Sequence, residues 1–194
     1  MRFAYADPPY FGQGKKRYGK HHAEAAVWDS VEAHRDLIER LSRDFPDGWA
    51  LSASSPSLRQ LLPLCPADVR VASWVKSFCA FKRGVRPAYA WEPVIFRGGR
   101  NKNQPVPEKG GKQITPKDFH VAPITLKKGL CGAKPESVCR WILDLLGAGS
   151  LDEVVDLFPG TGVMGRIAGE ICGVRSKESR VTPPLTGDEK EKSE

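Results

Sequence analysis

Apolar and polar positions along the chain fall into blocks that predict an α/β protein. RFAYA (2–6) shows no polar alternation beyond its first residue, the pattern of a central strand covered on both faces, and it stops at Asp7-Pro8-Pro9. Between 29 and 45, Val31, His34, Leu37, Ile38, Leu41 and Phe45 recur at spacings of three and four, which predicts an amphipathic helix with Asp29 or Ser30 as its N-cap. GWALSAS (48–54) reads as a second strand and SPSLRQLL as a short helix after it, so the first third has the alternation of a parallel α/β unit. VRVASWVK (69–76) and YAWEPVIF (89–96) are suited to an antiparallel edge pair.

From 97 to 128 the pattern loses all period. This stretch is rich in Gly and Pro, carries eight Lys/Arg against two acids (Glu108 and Asp118), and reads as one long basic loop. KPESVCRWILDLLG then sets Val138, Trp141, Ile142, Leu145 and Leu146 on one face, with Pro135 in the first turn and Gly147 as the stop, the most strongly patterned helix of the chain. EVVDLF (153–158) is an apolar strand ending at Pro159-Gly160-Thr161-Gly162, and VMGRIAGEIC is a short helix. After Ser176 the chain is polar and mixed in charge, with too few apolar side chains to fold. Residues 1–175 therefore read as one domain and 176–194 as a disordered polar tail.

Charge and cysteine content narrow this picture. The 194 residues carry a formal net charge of +7 with a pI near 9.2, which suits a polyanionic partner, nucleic acid first among them. The five cysteines are scattered without a C-x-x-C pair, so neither a disulfide framework nor a zinc site is signalled, and they read as reduced, mostly buried thiols. No stretch has the length of a membrane span and the first twenty residues lack a signal-peptide core, so a soluble cytoplasmic protein is expected.

A strand followed by Asp156-Leu157-Phe158-Pro159-Gly160-Thr161-Gly162 and a helix is a way to cradle a nucleotide-like ligand, because glycines let the backbone approach closely and a helix start offers free N–H groups. Taken alone, a tight turn in which Gly160 and Gly162 serve only backbone geometry explains it as well, and Asp7-Pro8-Pro9-Tyr10 is also a way to end a strand. The two gain meaning together. If the last strand lies beside the first, both motifs open on one crevice at the carboxyl ends of the strands, where open α/β sheets bind ligands.

In these residues the chain resembles the S-adenosylmethionine-dependent DNA amino-methyltransferases. Asp7-Pro8-Pro9-Tyr10 matches their catalytic D-P-P-Y, and the 156–162 stretch is similar to their cosubstrate motif. The catalytic motif comes first, with Lys134-Pro135 opening the intervening helix, as in the permuted β class, and Trp91-Glu92-Pro93-Val94-Ile95-Phe96 resembles a segment of small phage and prophage members. Glutamine amino-methyltransferases also carry P-P-Y but place the cosubstrate motif first.

The resemblance implies a Rossmann-like methyltransferase sheet, permuted and shortened after the cosubstrate strand. It implies Asp7, Pro8, Pro9 and Tyr10 as catalytic residues, and Asp156, Phe158, Gly160, Thr161, Gly162, Lys134 and Pro135 as the cosubstrate site. Asp7 and the Pro8 carbonyl would accept the two N–H bonds of an exocyclic amine, and Tyr10 would stack on a base drawn out of the duplex. DNA is then the partner, with Lys15, Lys16, Arg17 and Lys20 after the motif and Arg97, Arg100, Lys102 and Lys112 of the basic loop as its contacts. A homodimer stays open. N6 of adenine is the expected target, with cytosine N4 and a non-catalytic DNA-binding module as alternatives.

The pattern departs from the family where an acid usually holds the ribose hydroxyls, since only about fourteen residues follow Gly162 before the polar tail; Glu170 and Glu178 are the substitutes at hand. His34 reads as a packed core residue. His21, His22 and His120 lack metal-ligand spacing, Trp74, Trp91 and Trp141 read as core, and Glu92 as a structural acid paired with a neighbouring arginine.

Overall fold

The computed structural model describes residues 1–19, 23–79, 81, 83–101, 115–125, 133–172 and 177–178. In order, the chain forms β1 (Arg2–Ala6), α1 (Gly14–Tyr18), α2 (Val31–Asp44), β2 (Gly48–Ser52), α3 (Leu58–Leu61), β3 (Arg70–Val75) and β4 (Trp91–Gly98). It continues with β5 (Phe119–Val121), α4 (Glu136–Leu146), β6 (Glu153–Asp156), α5 (Val163–Cys172) and β7 (Lys177–Glu178). The strands make one mixed sheet in the order β5-β3-β4-β2-β1-β6-β7.

The unbroken apolar run of β1 follows from its place. It is parallel to β2 on one side and to β6 on the other, with Phe3 opposite Val154 and Tyr5 opposite Asp156. Phe3 and Tyr5 face a core shared with Val138, Ile142, Leu143 and Leu146 of α4 and Met164 and Ile167 of α5. Ala4 and Ala6 face the opposite layer, where Leu37, Ile38 and Leu41 of α2 pack with Phe45, Trp49, Leu51 and Val155. Of the two capping candidates for α2, Ser30 is the one used, its hydroxyl accepting the Ala33 N–H at 3.1 Å. Asp29 instead accepts the Gly14 and Lys15 N–H groups at 2.6 and 3.0 Å and so pins the start of α1.

Two expectations change. The antiparallel pair β3–β4 is not at the edge: β4 is also antiparallel to β2, and β5, a strand inside the expected 97–128 loop, pairs in parallel with β3. Main-chain hydrogen bonding needs no side-chain period, so a three-residue strand leaves no signature in the sequence. For the same reason Lys177 and Glu178, at the head of the expected polar tail, pair in parallel with Val155 and Asp156. The remainder of that tail lies outside the described residues.

At the amino ends of the parallel strands, Gly48 and Gly99 approach so closely that a Cβ on Gly48 would lie 2.6 Å from the Gly99 nitrogen. Beside them Arg100 reaches across to α4 and β6: its Nη2 is 2.6 and 2.7 Å from the two oxygens of Asp152, and its Nε donates to the Gly147 carbonyl at 3.0 Å. Asp152 also accepts from the Met1 amine and the Gly149 N–H. Burial alone would raise this carboxyl, but the hydrogen bonds from Met1, Arg100 and Gly149 outweigh it and hold it below the usual range.

A buried guanidinium left without its carboxylate is costly, so Asp152→Ala is expected to lower stability by about 3 kcal/mol in denaturant unfolding. Because the folded pKa is depressed, the stabilisation from Asp152 is in place above about pH 4 and declines as pH falls through the lower folded value. A variant with wild-type stability and acid response would show that the Asp152 cluster contributes nothing to the fold.

Candidate active site

The parallel strands around β1 bring four chain segments to one end of the sheet. The Leu157 N–H donates to the Tyr5 carbonyl at 2.9 Å, so Asp7-Pro8-Pro9-Tyr10 and the 157–162 stretch leave adjacent strands side by side. β4 runs the other way, and its first residues therefore lie at this end, with Trp74 opposite Glu92. α4 also starts here, and Lys134 stands one residue before its N-cap, Pro135.

These segments meet in a line of alternating charge. The Lys134 ammonium lies 2.9 and 2.8 Å from the Asp7 oxygens and donates to the Tyr10 hydroxyl at 3.0 Å. Tyr10 donates in turn to Glu92 Oε2 at 2.6 Å, and Lys76 Nζ closes the row 2.7 Å from Glu92 Oε1. Lys134 is also 3.6 Å from Glu92 and sits over the rings of Tyr10 and Trp74. Below them the Tyr5 hydroxyl and Ser52 share a hydrogen bond of 2.8 Å.

Burial sets the protonation states. It pushes the Asp7 carboxyl upward, against the opposing charge and hydrogen bonds of Lys134. For Lys134 burial acts downward, yet Asp7 and Glu92 hold the ammonium well above the ordinary lysine range. In Glu92 the upward push of burial is outweighed by Lys134 and Lys76, which keep it ionised. Burial, with Glu92 and Asp7 nearby, holds the Tyr10 phenol far above its usual value, so it remains a neutral donor.

The loop after β6 is tight. Asp156 is buried and accepts the Phe158 N–H at 3.1 Å, the Gly162 N–H returns to the Pro159 carbonyl, and Gly160 and Gly162 take φ of +50° and +73°. Phe158 is fixed edge-on against Trp28, which meets His34, which meets Phe11. His34 is a core residue as expected: it is buried, burial lowers its pKa, and its Nδ1–H donates to the Ser30 carbonyl. Beyond Phe11 a cavity of about 570 Å³ opens against Ser55, Ser57 and Arg59.

The residues expected at DNA divide. Lys15 and Lys16 are exposed on α1, just after Tyr10, and Arg17 belongs to the same helix. Lys20, Lys102 and Lys112 lie outside the described residues, as do His21 and His22. Arg97 and Arg100 are corrections. Arg97 pairs with Trp49 near the start of β2, at the opposite end of the sheet from Asp7, and its guanidinium is held by Asp68 at 2.7 Å. Arg100 belongs to the buried Asp152 cluster.

Glu92 also differs from expectation: it faces Tyr10 and two lysines, not an arginine. Lys76 was not anticipated, and the signal available was that Trp74-Val75-Lys76 and Trp91-Glu92 end antiparallel neighbours at the same level. Glu170 is committed to Arg140 and Arg166 on the exposed face of α5, whereas Glu178 stands beside Asp156 in register. Among the described residues no group of three His, Cys, Asp or Glu could hold a metal ion, and no helix is long and apolar enough to cross a membrane.

This sheet order and its adjoining motif loops define a Rossmann-like methyltransferase fold, shared with DNA methyltransferases of known structure. The chain is similar to M1.HpyAVI in complex with SAM (TM-score 0.55, 14% identity, 94% of this chain and 83% of that one). It is similar also to the PvuII DNA methyltransferase, named as cytosine-N4-specific (0.59, 15%, 94% and 76%). A third likeness is to the DNA modification methylase TTHA0409 from Thermus thermophilus, complexed with S-adenosyl-L-methionine (0.57, 15%, 94% and 81%). No protein-family profile and no curated protein matches the sequence.

Two outcomes follow from the geometry. Lys134→Met removes the cation that opposes burial at Asp7, so the Asp7 carboxyl is expected to titrate at higher pH in a carbon-detected NMR titration; an unmoved midpoint would show that Lys134 does not keep it ionised. Gly160→Ala forces a side chain into positive φ with open space around it, a Cβ meeting only the Phe158 carbonyl at 3.7 Å. The expected loss is about 1 kcal/mol, read from thermal unfolding, and a loss several times larger would mean that the loop is packed more tightly than described.

Proposed function

We propose that this chain transfers the methyl group of S-adenosylmethionine to the exocyclic N6 amine of adenine in DNA, with residues 1–175 as the methyltransferase domain. The observation that carries this reading is the adjacency of two loops: Asp7-Pro8-Pro9-Tyr10 and Asp156 to Gly162 leave neighbouring parallel strands at one end of the sheet. The likeness in fold to structures solved with the cosubstrate supports it.

The residues present fit such a cosubstrate. Gly160 and Gly162 leave the loop bare of side chains where it turns, and a Cβ at Gly160 would stand in open space that a ligand can fill. Phe158, Thr161, Lys134 and Pro135 border the same crevice. When bound, S-adenosylmethionine supplies a methyl group made electrophilic by its sulfonium centre.

The chain's own work is to orient the amine. An exocyclic amine is a weak nucleophile because its lone pair is delocalised into the ring. Asp7 and the Pro8 carbonyl accept its two N–H bonds, which turns the lone pair out of the ring plane and toward the 156–162 loop. This is positioning and electrostatic stabilisation in a buried site. Lys134 yields part of the Asp7 carboxylate as the amine arrives, and Glu92 at 3.6 Å is the second anion that keeps its ammonium in place. Pro8 and Pro9 fix the backbone, and the neutral Tyr10 ring stacks on the extruded base. Lys15, Lys16, Arg17 and Lys20 contact phosphates, while Lys102 and Lys112 belong to the stretch that reads sequence.

Cytosine N4 is the second reading, favoured by the likeness to the PvuII enzyme, since the same pair of acceptors serves either amine. Labelled methyl transfer to unmethylated DNA, followed by nucleoside analysis, distinguishes them. Label in N6-methyladenine, reduced about a hundredfold or more in Asp7→Ala, is expected. Label in N4-methylcytosine would move the assignment to the second reading. Wild-type protein that binds DNA and transfers nothing would leave a binding module without turnover.

A further inference from the structure

The segment joining β3 to β4 leaves the sheet directly above the charged row of the crevice. Its base is closed by the Lys76 N–H donating to the Ala90 carbonyl, and by the pairing of Val75 with Trp91. Lys76 and Glu92, the residues flanking it, are the ion pair that holds Tyr10. Whatever docks on this hairpin therefore lies beside the catalytic end of β1.

Its surface is unusual in two respects. Phe78, Phe81, Tyr89 and Trp91 are 53%, 83%, 47% and 36% exposed, so four large aromatic rings face solvent within fourteen residues. Single exposed rings need no explanation, but a cluster of them marks an interaction surface. Interleaved with them are Arg83 and Arg86, both exposed and without an ion-pair partner among the described residues. From Lys76 to Trp91 the sequence has four Lys/Arg and no Asp or Glu. An apolar protein partner would leave those guanidinium groups uncompensated. A strand of nucleic acid offers both π faces for the rings and phosphates for the arginines.

We propose that the 77–91 hairpin is a nucleic-acid-stacking surface. Phe78, Phe81, Tyr89 and Trp91 take up bases that lose a stacking neighbour when the target nucleotide leaves the duplex, and Arg83 and Arg86 hold the adjoining phosphates. The proposal rests on the methyltransferase reading for the identity of the strand, and it replaces Arg97 and Arg100, at the far end of the sheet, as the DNA contact of this half of the chain.

The test uses the full chain and two labelled DNAs of one sequence, fully paired and with a central unpaired bubble, read by fluorescence anisotropy. Wild type is expected to prefer the bubble. Phe78→Ala/Phe81→Ala is expected to lose roughly tenfold in affinity for the bubble and about twofold for the paired DNA, because stacking on a freed base is what it removes. Arg83→Ala/Arg86→Ala should weaken both and lower the salt dependence of binding by about two counterions. Phe81→Ala alone, at a side chain that packs on little, guards against a folding defect, and Phe81→Trp is expected to restore binding.

Equal binding of both DNAs by the aromatic double variant and wild type would overturn the proposal. So would a change in sedimentation from dimer to monomer with DNA affinity unchanged, which would assign the rings to a second copy of the chain. The readout is binding, so a wild type that stacks on the bubble but transfers no methyl sinks the catalytic reading and upholds this one. A wild type that methylates, with hairpin variants that bind as it does, upholds the catalytic reading and sinks this one.

Discussion

The pairing of β1 with a parallel strand on each side is the constraint from which the crevice follows. Backbone hydrogen bonds on both edges leave β1 no freedom of register, and Tyr5 opposite Asp156 sets the two motif loops at one level. The same burial makes the helices obligatory. α4 must lay Val138, Ile142 and Leu146 on the face that carries Phe3 and Tyr5, and that packing brings Lys134, just ahead of the helix, over Asp7. The site chemistry is thus held by packing that has no chemistry of its own.

Charge is distributed in keeping with this. The centre of the crevice alternates Lys76, Glu92, Lys134 and Asp7, two cations and two anions, so each buried ion is paired and the row has no net charge. Buried ions are tolerated only in such company. The excess of seven positive charges therefore resides outside the centre, on α1, on the β3–β4 hairpin and along the stretch after Gly98. A polyanion is drawn to the rim while the pocket itself presents hydrogen-bond acceptors.

Most of the frame was legible because period and punctuation agree. The stripe of α2, the Pro135-to-Gly147 brackets of α4 and the unrelieved apolar runs of β1 and β6 each point to one element and one place for it. What escaped has a common cause. β5 and β7 are held by main-chain bonds, for which side-chain pattern carries no information. Arg97 and Arg100 stood in a basic run and read as surface cations, but strand direction carried one to the far end of the sheet and a buried carboxylate claimed the other. Glu92 and Lys76 become part of the site only through the antiparallel turn of β4, which reverses the end at which its first residues stand. Tertiary direction, and not local pattern, decided each of these.

The order of the strands also governs when the crevice comes into being. β1 is the first element of the described chain, yet its partner β6 comes near the last, with Phe3 paired to Val154. Until β6 is available one edge of β1 is bare and the loop opposite Asp7 does not exist. Closing so long a span of chain is slow, because the entropy of bringing the ends together is lost before their contacts form. Helix α2 and strand β2 can dock on β1 early, as local partners do. The catalytic end is then completed by the final strands to arrive, so the half-formed protein presents its basic rim before it has a pocket behind it.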